Sequence, residues 1–105
     1  IPFKIKRVYF ITGASPAAIR GNHAHKNLTQ VIFCVHGSFT LLLDDGAEKQ
    51  KIRMTDPSLG ILIGPRLWAT LGNFSKNCVI AVFSDGYYRE GEYIRDYDKL
   101  PPRVK

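Results

Sequence analysis

The sequence predicts an all-β domain, a sandwich or barrel, on three observations. Short runs rich in Val, Ile, Leu and Phe recur along the chain, each bounded by Gly, Pro, Asn or Asp. Runs of that length between turn residues read as strands. No stretch carries the 3.6-residue apolar spacing of a long amphipathic helix, and no repeat or low-complexity segment breaks the pattern.

Taken in order, KRVYFI (6–11) is the first strand and TGASP the loop after it. RGNHAHK (20–26) is β-patterned and leads into QVIFCV (30–35), which His36-Gly37 ends. SFTLLLDD (38–45) and AEKQKIRM (47–54) flank Asp45-Gly46, a strong hairpin signal. Asp56-Pro57 opens a further turn. GILIGP (60–65), LWATL (67–71) and CVIAVFS (78–84) supply three more strands. Beyond Gly86, YYREGEYIRDYDKL is aromatic and charged; it suits a helical turn or an irregular cover, stopped by Pro101-Pro102.

With 105 residues, positions 1–105 make a single domain with one modest core. Its sheet edges need covering, which points to a dimer sharing strands. No apolar run reaches membrane-spanning length, and no basic-then-apolar leader is present. The chain opens on Ile1-Pro2-Phe3 without methionine, so an upstream segment is expected. Cys34 and Cys78 fit no zinc spacing and read as buried thiols. With no disulfide framework, a reducing cytoplasm is expected. The net charge of +6 favours an anionic partner. No nucleic-acid motif accompanies it, so a phosphorylated small molecule is preferred.

RGNHAHK is where chemistry concentrates. In a strand, residues i and i+2 share a face. His23 and His25 then point one way, Ala24 turns away, and Arg20 and Lys26 flank the pair. By spacing alone this is a metal site, an acid–base pair or two solvated imidazoles.

The wider spacing resembles the first cupin motif: His23-x-His25, four residues, Gln30, six residues, Gly37. Cupins are jelly-roll β-barrels that hold a metal with two histidines and a glutamate here; Gln30 stands in the glutamate position. GILIGPRLWATLGN (60–73) occupies the second motif, ending on Asn73, but Ala69 or Thr70 takes the place of its histidine. Two imidazoles and one neutral amide are a poor donor set for a transition metal. No metal or other cofactor is expected.

IPFKIKRVYFI, RGNHAHKNLTQVIFCVHGS, LLLDDG, GPRLW and YYREGEYIRDYD together resemble the nucleotide-sugar 3,4-ketoisomerases, the WxcM-like cupins, in the same order along nearly the whole chain. The resemblance implies a metal-independent isomerase. It would move the ketone of dTDP-4-keto-6-deoxy-D-glucose from C4 to C3, for deoxyamino sugars of a surface polysaccharide or glycoside. It also implies a homodimer exchanging an N-terminal strand, which would lie upstream of Ile1. His23 carries over as the base at C3 and His25 as its partner in proton delivery or orientation. Arg20 is assigned to the diphosphate, which guanidinium binds bidentately. Arg7 and Tyr9 are further candidates for the pocket, and Gln30 for a hydrogen bond to a histidine or a sugar hydroxyl.

Histidine suits enediol chemistry, because its ordinary pKa near 6.5 leaves both forms accessible. Mutual repulsion disfavours joint protonation, so the pair titrates as a coupled unit, and surrounding arginines push both rings toward the neutral form. One neutral and one protonated imidazole would provide a base and an acid in one cavity. His36 reads as a turn residue, Trp68 as barrel wall beside the cavity mouth, and Tyr87, Tyr88, Tyr93 and Tyr97 as a hydrophobic cover. Lys4, Lys6, Lys49 and Lys51 read as solvated faces. Relatives carry a bulky basic side chain where this chain has Ala69, so the resemblance does not extend to the configuration at C4. The competing functions are a metal-dependent cupin enzyme and a cupin that binds a nucleotide sugar without turnover.

Overall fold

Short β-patterned runs between turn residues form eight strands where the sequence predicts them. They are β1 (Arg7–Ile11), β2 (Arg20–His25), β3 (Gln30–His36), β4 (Phe39–Asp44), β5 (Lys49–Met54), β6 (Gly60–Ile63), β7 (Trp68–Gly72) and β8 (Val79–Ser84). The computed structural model describes residues 1–97. Two antiparallel sheets result, one in the order β1-β8-β3-β6, the other β5-β4-β7-β2 with a ninth strand at its edge. Apart from the β4–β5 hairpin, every connection crosses from one sheet to the other.

The core lies between the sheets. Phe39, Leu41 and Leu43 from β4 meet Ile32 and Cys34 from β3 and Ile80 and Val82 from β8. Each such side chain contributes roughly 1.5–3 kcal/mol by leaving water. Cys34 and Cys78 are both buried free thiols, as their apolar surroundings predict.

Two local expectations change. The return strand of the hairpin begins at Lys49 rather than Ala47, because 45–48 form a four-residue loop. The Asp45 carboxylate accepts the N–H groups of Ala47 and Glu48, both at 2.8 Å, and Gly46 turns with φ 92°. That Asx geometry outcompetes two further ladder rungs.

The segment after Gly86 is neither purely helical nor irregular. A single 3-10 turn at Glu90–Glu92 leads into β9 (Tyr93–Ile94), which pairs with β2 as Ala24↔Ile94 and His25↔Tyr93. The Glu92 carboxylate anchors this strap by accepting the N–H groups of Asn27 and Leu28. The expected stop at Pro101-Pro102 lies outside the described residues, as does the last residue of YYREGEYIRDYD.

Candidate active site

Strand β2 pairs with β7 as Arg20↔Leu71, Gly21↔Thr70 and His23↔Ala69, so Asn22 is an extra residue without a partner on β7. This is a β-bulge. Gly21 (φ 72°) and Asn22 (φ 55°) are both left-handed, which glycine adopts freely and asparagine tolerates. A Cβ at Gly21 would stand 3.0 Å from the Ala69 carbonyl oxygen and 3.1 Å from Leu71 Cδ1, so the bulge admits no side chain there.

The bulge brings the Gly21 carbonyl oxygen to 2.9 Å from His23 Nδ1. A carbonyl only accepts, so Nδ1 carries the proton. Neutral His23 therefore holds its lone pair on Nε2.

His25 follows on the same face, its ring centroid 5.0 Å from that of His23 and nearly perpendicular to it. Tyr93 closes the triangle, 4.7 Å from the His23 ring and 4.6 Å from the His25 ring. Both His25 nitrogens are buried without a hydrogen-bond partner among the described residues. Gln30 lies close enough to favour the protonated ring, though no bond of ordinary geometry forms.

Five of the six site residues named from sequence, Arg7, Tyr9, Arg20, His23 and Gln30, line one cavity of about 320 Å³ between the sheets. Tyr93 and Arg95 complete its mouth. His25 is at its edge, packed on His23. Pockets for small ligands run from about 300 to 1,000 Å³, so this one admits a sugar ring and little more. Two wider clefts, of about 550 and 540 Å³, lie outside and include neither histidine. Lys26, which flanks the pair in sequence, opens onto one of those clefts instead.

The buried Nη1 of Arg7 has no hydrogen-bond partner among the described residues, and its guanidinium lies 4.4 Å from the Tyr9 ring centroid. Gln30 Nε2 reaches the Tyr9 hydroxyl at 3.5 Å, a weak contact. Arg95 forms a bidentate pair with Glu90, both distances 2.8 Å, and sits 4.4 Å over the Tyr93 ring.

Burial lowers the pKa of both histidines. His25 is pushed down to about 4 by desolvation, with His23 adding repulsion and Glu92 opposing it. His23 is lowered by desolvation and by Arg95, against the Gly21 carbonyl and Glu90, which favour the imidazolium. Both rings are thus held toward the neutral form near pH 7, the direction expected from the surrounding arginines, with desolvation as the larger cause. No neutral-and-protonated pair is favoured at that pH. Desolvation of both rings outweighs every neighbouring charge. The same burial raises the Tyr9 phenol, which remains a protonated donor at neutral pH.

The sequence profile described as FdtA: WxcM-like, C-terminal, matches residues 1–104. The chain belongs to that family. Among its WxcM-like relatives, a protein of Aneurinibacillus thermoaerophilus named TDP-4-oxo-6-deoxy-alpha-D-glucose-3,4-oxoisomerase is 46% identical over 100 residues, 95% of this chain and 72% of its own. QdtA, a sugar 3,4-ketoisomerase of Thermoanaerobacterium thermosaccharolyticum crystallised with TDP, superposes with a TM-score of 0.91 at 45% identity, over 93% of this chain and 72% of that one. A mutant of QdtA in complex with TDP-4-keto-6-deoxyglucose superposes equally well, TM-score 0.91 at 44% identity, over 93% and 71% of the two chains. The WxcM-like resemblance read from the motifs is the family the chain has.

Sequence reading missed Tyr93, which it placed in a surface cover, and Arg95. It also placed Trp68 beside the cavity, whereas its indole packs with Ala24 and Ile94 on the far side of the sheet. Only the pairing of β9 with β2 reveals the tyrosine's place, and a two-residue strand leaves no periodicity to read.

Proposed function

We propose that this protein is a TDP-4-keto-6-deoxy-D-glucose 3,4-ketoisomerase that works without a metal. The observation that carries this reading is the Nδ1–H of His23 held by Gly21, which leaves Nε2 as a free base at a sugar-sized cavity. The names of the relatives supply the substrate class.

In the reaction, Nε2 of His23 takes the proton from C3, and the C–H electron pair forms a C3=C4 double bond. The C4 carbonyl oxygen then carries the developing negative charge. Tyr9, kept protonated by burial, is suited to donate to that oxygen. The enediol collapses as the C3 hydroxyl loses its proton and C4 gains one, giving the 3-keto isomer. His25, neutral and pressed edge-on against His23, orients the base and takes part in proton delivery. Arg20 and the Nη1 of Arg7 offer guanidinium donors to the diphosphate.

Metal independence rests on donor chemistry. The cupin ligand positions hold His23, His25 and Gln30, and Ala69, directly across from His23, contributes only a methyl group. Nδ1 of His23 is already committed to a carbonyl. That set does not fit iron, zinc or manganese.

The outer face of the β1-β8-β3-β6 sheet supports the homodimer. Val8 and Phe10 on β1, Val35 on β3 and Leu62 on β6 are all exposed there, beside the packed rings of Phe33 and Phe83. A contiguous apolar face of this kind calls for a partner. A cytoplasmic enzyme supplying deoxyamino-sugar synthesis is the setting that fits; among the described residues no helix is long and apolar enough to cross a membrane.

Incubation with dTDP-4-keto-6-deoxyglucose tests the reading. The 3-keto isomer should accumulate in NMR spectra, unaffected by chelator. Substrate binding with no isomer formed would favour the non-catalytic alternative, and activity that chelator abolishes would favour a metal enzyme.

A further inference from the structure

Arg20 and His23 are three residues apart, and in a regular strand an odd separation puts two side chains on opposite faces. Here both line one cavity. Their cross-strand partners, Leu71 and Ala69, both belong to the core between the sheets, so both side chains face inward. The one residue that changes the parity is Asn22.

Asn22 is held from the opposite side of the sheet. Its Oδ1 accepts the Trp68 indole N–H at 3.2 Å and the Thr70 hydroxyl at 3.4 Å. Trp68 is itself fixed, only 6% exposed and packed on Ala24 and Ile94. The two donors stand either side of Ala69 on β7, on the face opposite the cavity. Bulges beside functional sites characteristically re-aim side chains in this way.

We propose that Asn22 is the positioning residue of this site: its carboxamide, locked by Trp68 and Thr70, holds the bulge that brings Arg20 and His23 into one cavity and sets the Gly21 carbonyl on His23 Nδ1. The proposal rests on His23 being the base. It differs from a plain conformational role, in which asparagine merely tolerates a positive φ. Glycine tolerates that φ better, so Asn22→Gly separates the two roles.

The experiment compares Asn22→Gly, Asn22→Asp and Trp68→Phe with the parent. It measures kcat, KM, the pH profile of kcat/KM, TDP affinity and the His23 tautomer by 15N NMR. Asn22→Gly should lower kcat about 10- to 100-fold, the scale of a small misplacement of a reacting group. Its TDP affinity should fall as Arg20 swings away. The acid limb should move to lower pH, because the Gly21 carbonyl favours the His23 imidazolium. The Nδ1–H tautomer should lose its dominance. Asn22→Asp, which keeps the acceptor, should restore tautomer and rate. Trp68→Phe, which removes only the donor, should shift every readout in the same direction as glycine and carries the test if the glycine variant fails to fold. Parent-like tautomer, acid limb and kcat in Asn22→Gly or Trp68→Phe would overturn the proposal. If the parent itself shows no turnover, the ketoisomerase reading fails, while the tautomer and TDP affinity still decide the role of Asn22.

Discussion

His23 Nδ1 lies 2.9 Å from the carbonyl oxygen of Gly21, two residues earlier on the same strand. That one bond links a backbone irregularity to a protonation state. A regular strand would turn the carbonyl into the ladder and leave the tautomer free. The bulge makes Nε2 the basic nitrogen.

Arg20→Ala removes a cavity-lining guanidinium that the proposed function gives to the diphosphate. Charge-assisted contacts of that kind contribute about 1.5–3 kcal/mol. TDP affinity should therefore weaken by roughly 10- to 100-fold by calorimetry. Turnover at saturation should change less. Unchanged TDP affinity would remove Arg20 from the phosphate site.

Folding stability should fall as pH drops from 6.5 to about 4, because burial holds the His25 pKa down at about 4. In that window the unfolded chain binds a proton that the folded chain refuses, so acid favours unfolding. Above 6.5 the ring is neutral in both states and contributes no slope. His25→Gln should flatten this part of a urea-denaturation series measured against pH. An unchanged slope would mean that His25 titrates normally in the folded protein.

Much of this was legible beforehand, and the misses have physical causes. The long strands follow from apolar or alternating runs between turn residues, except β2 (RGNHAH), which carries no apolar run. Arg7, Tyr9 and Gln30 reach one cavity because β1 and β3 pair in register with β8 there. Arg20 reaches it for a reason alternation cannot supply, since the bulge at Asn22 inverts the parity. Tyr93 was hidden because its place depends on a long-range pairing with His25. The neutral tendency of both histidines was legible from the nearby arginines, but its larger cause was not: desolvation is a property of packing.

Tyr93 should matter through its ring more than its hydroxyl. It packs against both imidazoles and beneath Arg95. Tyr93→Phe should keep turnover within a few-fold. Tyr93→Ala should open the mouth to water and lower kcat about 10- to 100-fold by loosening the base. Equal loss in both variants would instead give the hydroxyl a direct part in proton transfer.

The apolar sheet face predicts a dimer that a single charge disrupts. Phe10 is 63% exposed within one chain. Phe10→Glu should convert the species seen by light scattering from dimer to monomer while leaving the β-sheet circular dichroism intact. A parent protein that is monomeric at micromolar concentration would contradict this.

The central claim is that His23 takes the C3 proton, and deuterium exchange at C3 of dTDP-4-keto-6-deoxyglucose in D2O tests it most directly. The parent should incorporate solvent deuterium as it turns over. His23→Asn, which keeps shape and polarity but has no titratable nitrogen, should lose about two to four orders of magnitude in exchange, the usual share of a positioned base. Its TDP affinity should stay near that of the parent. Parent-like C3 exchange in His23→Asn would contradict the account.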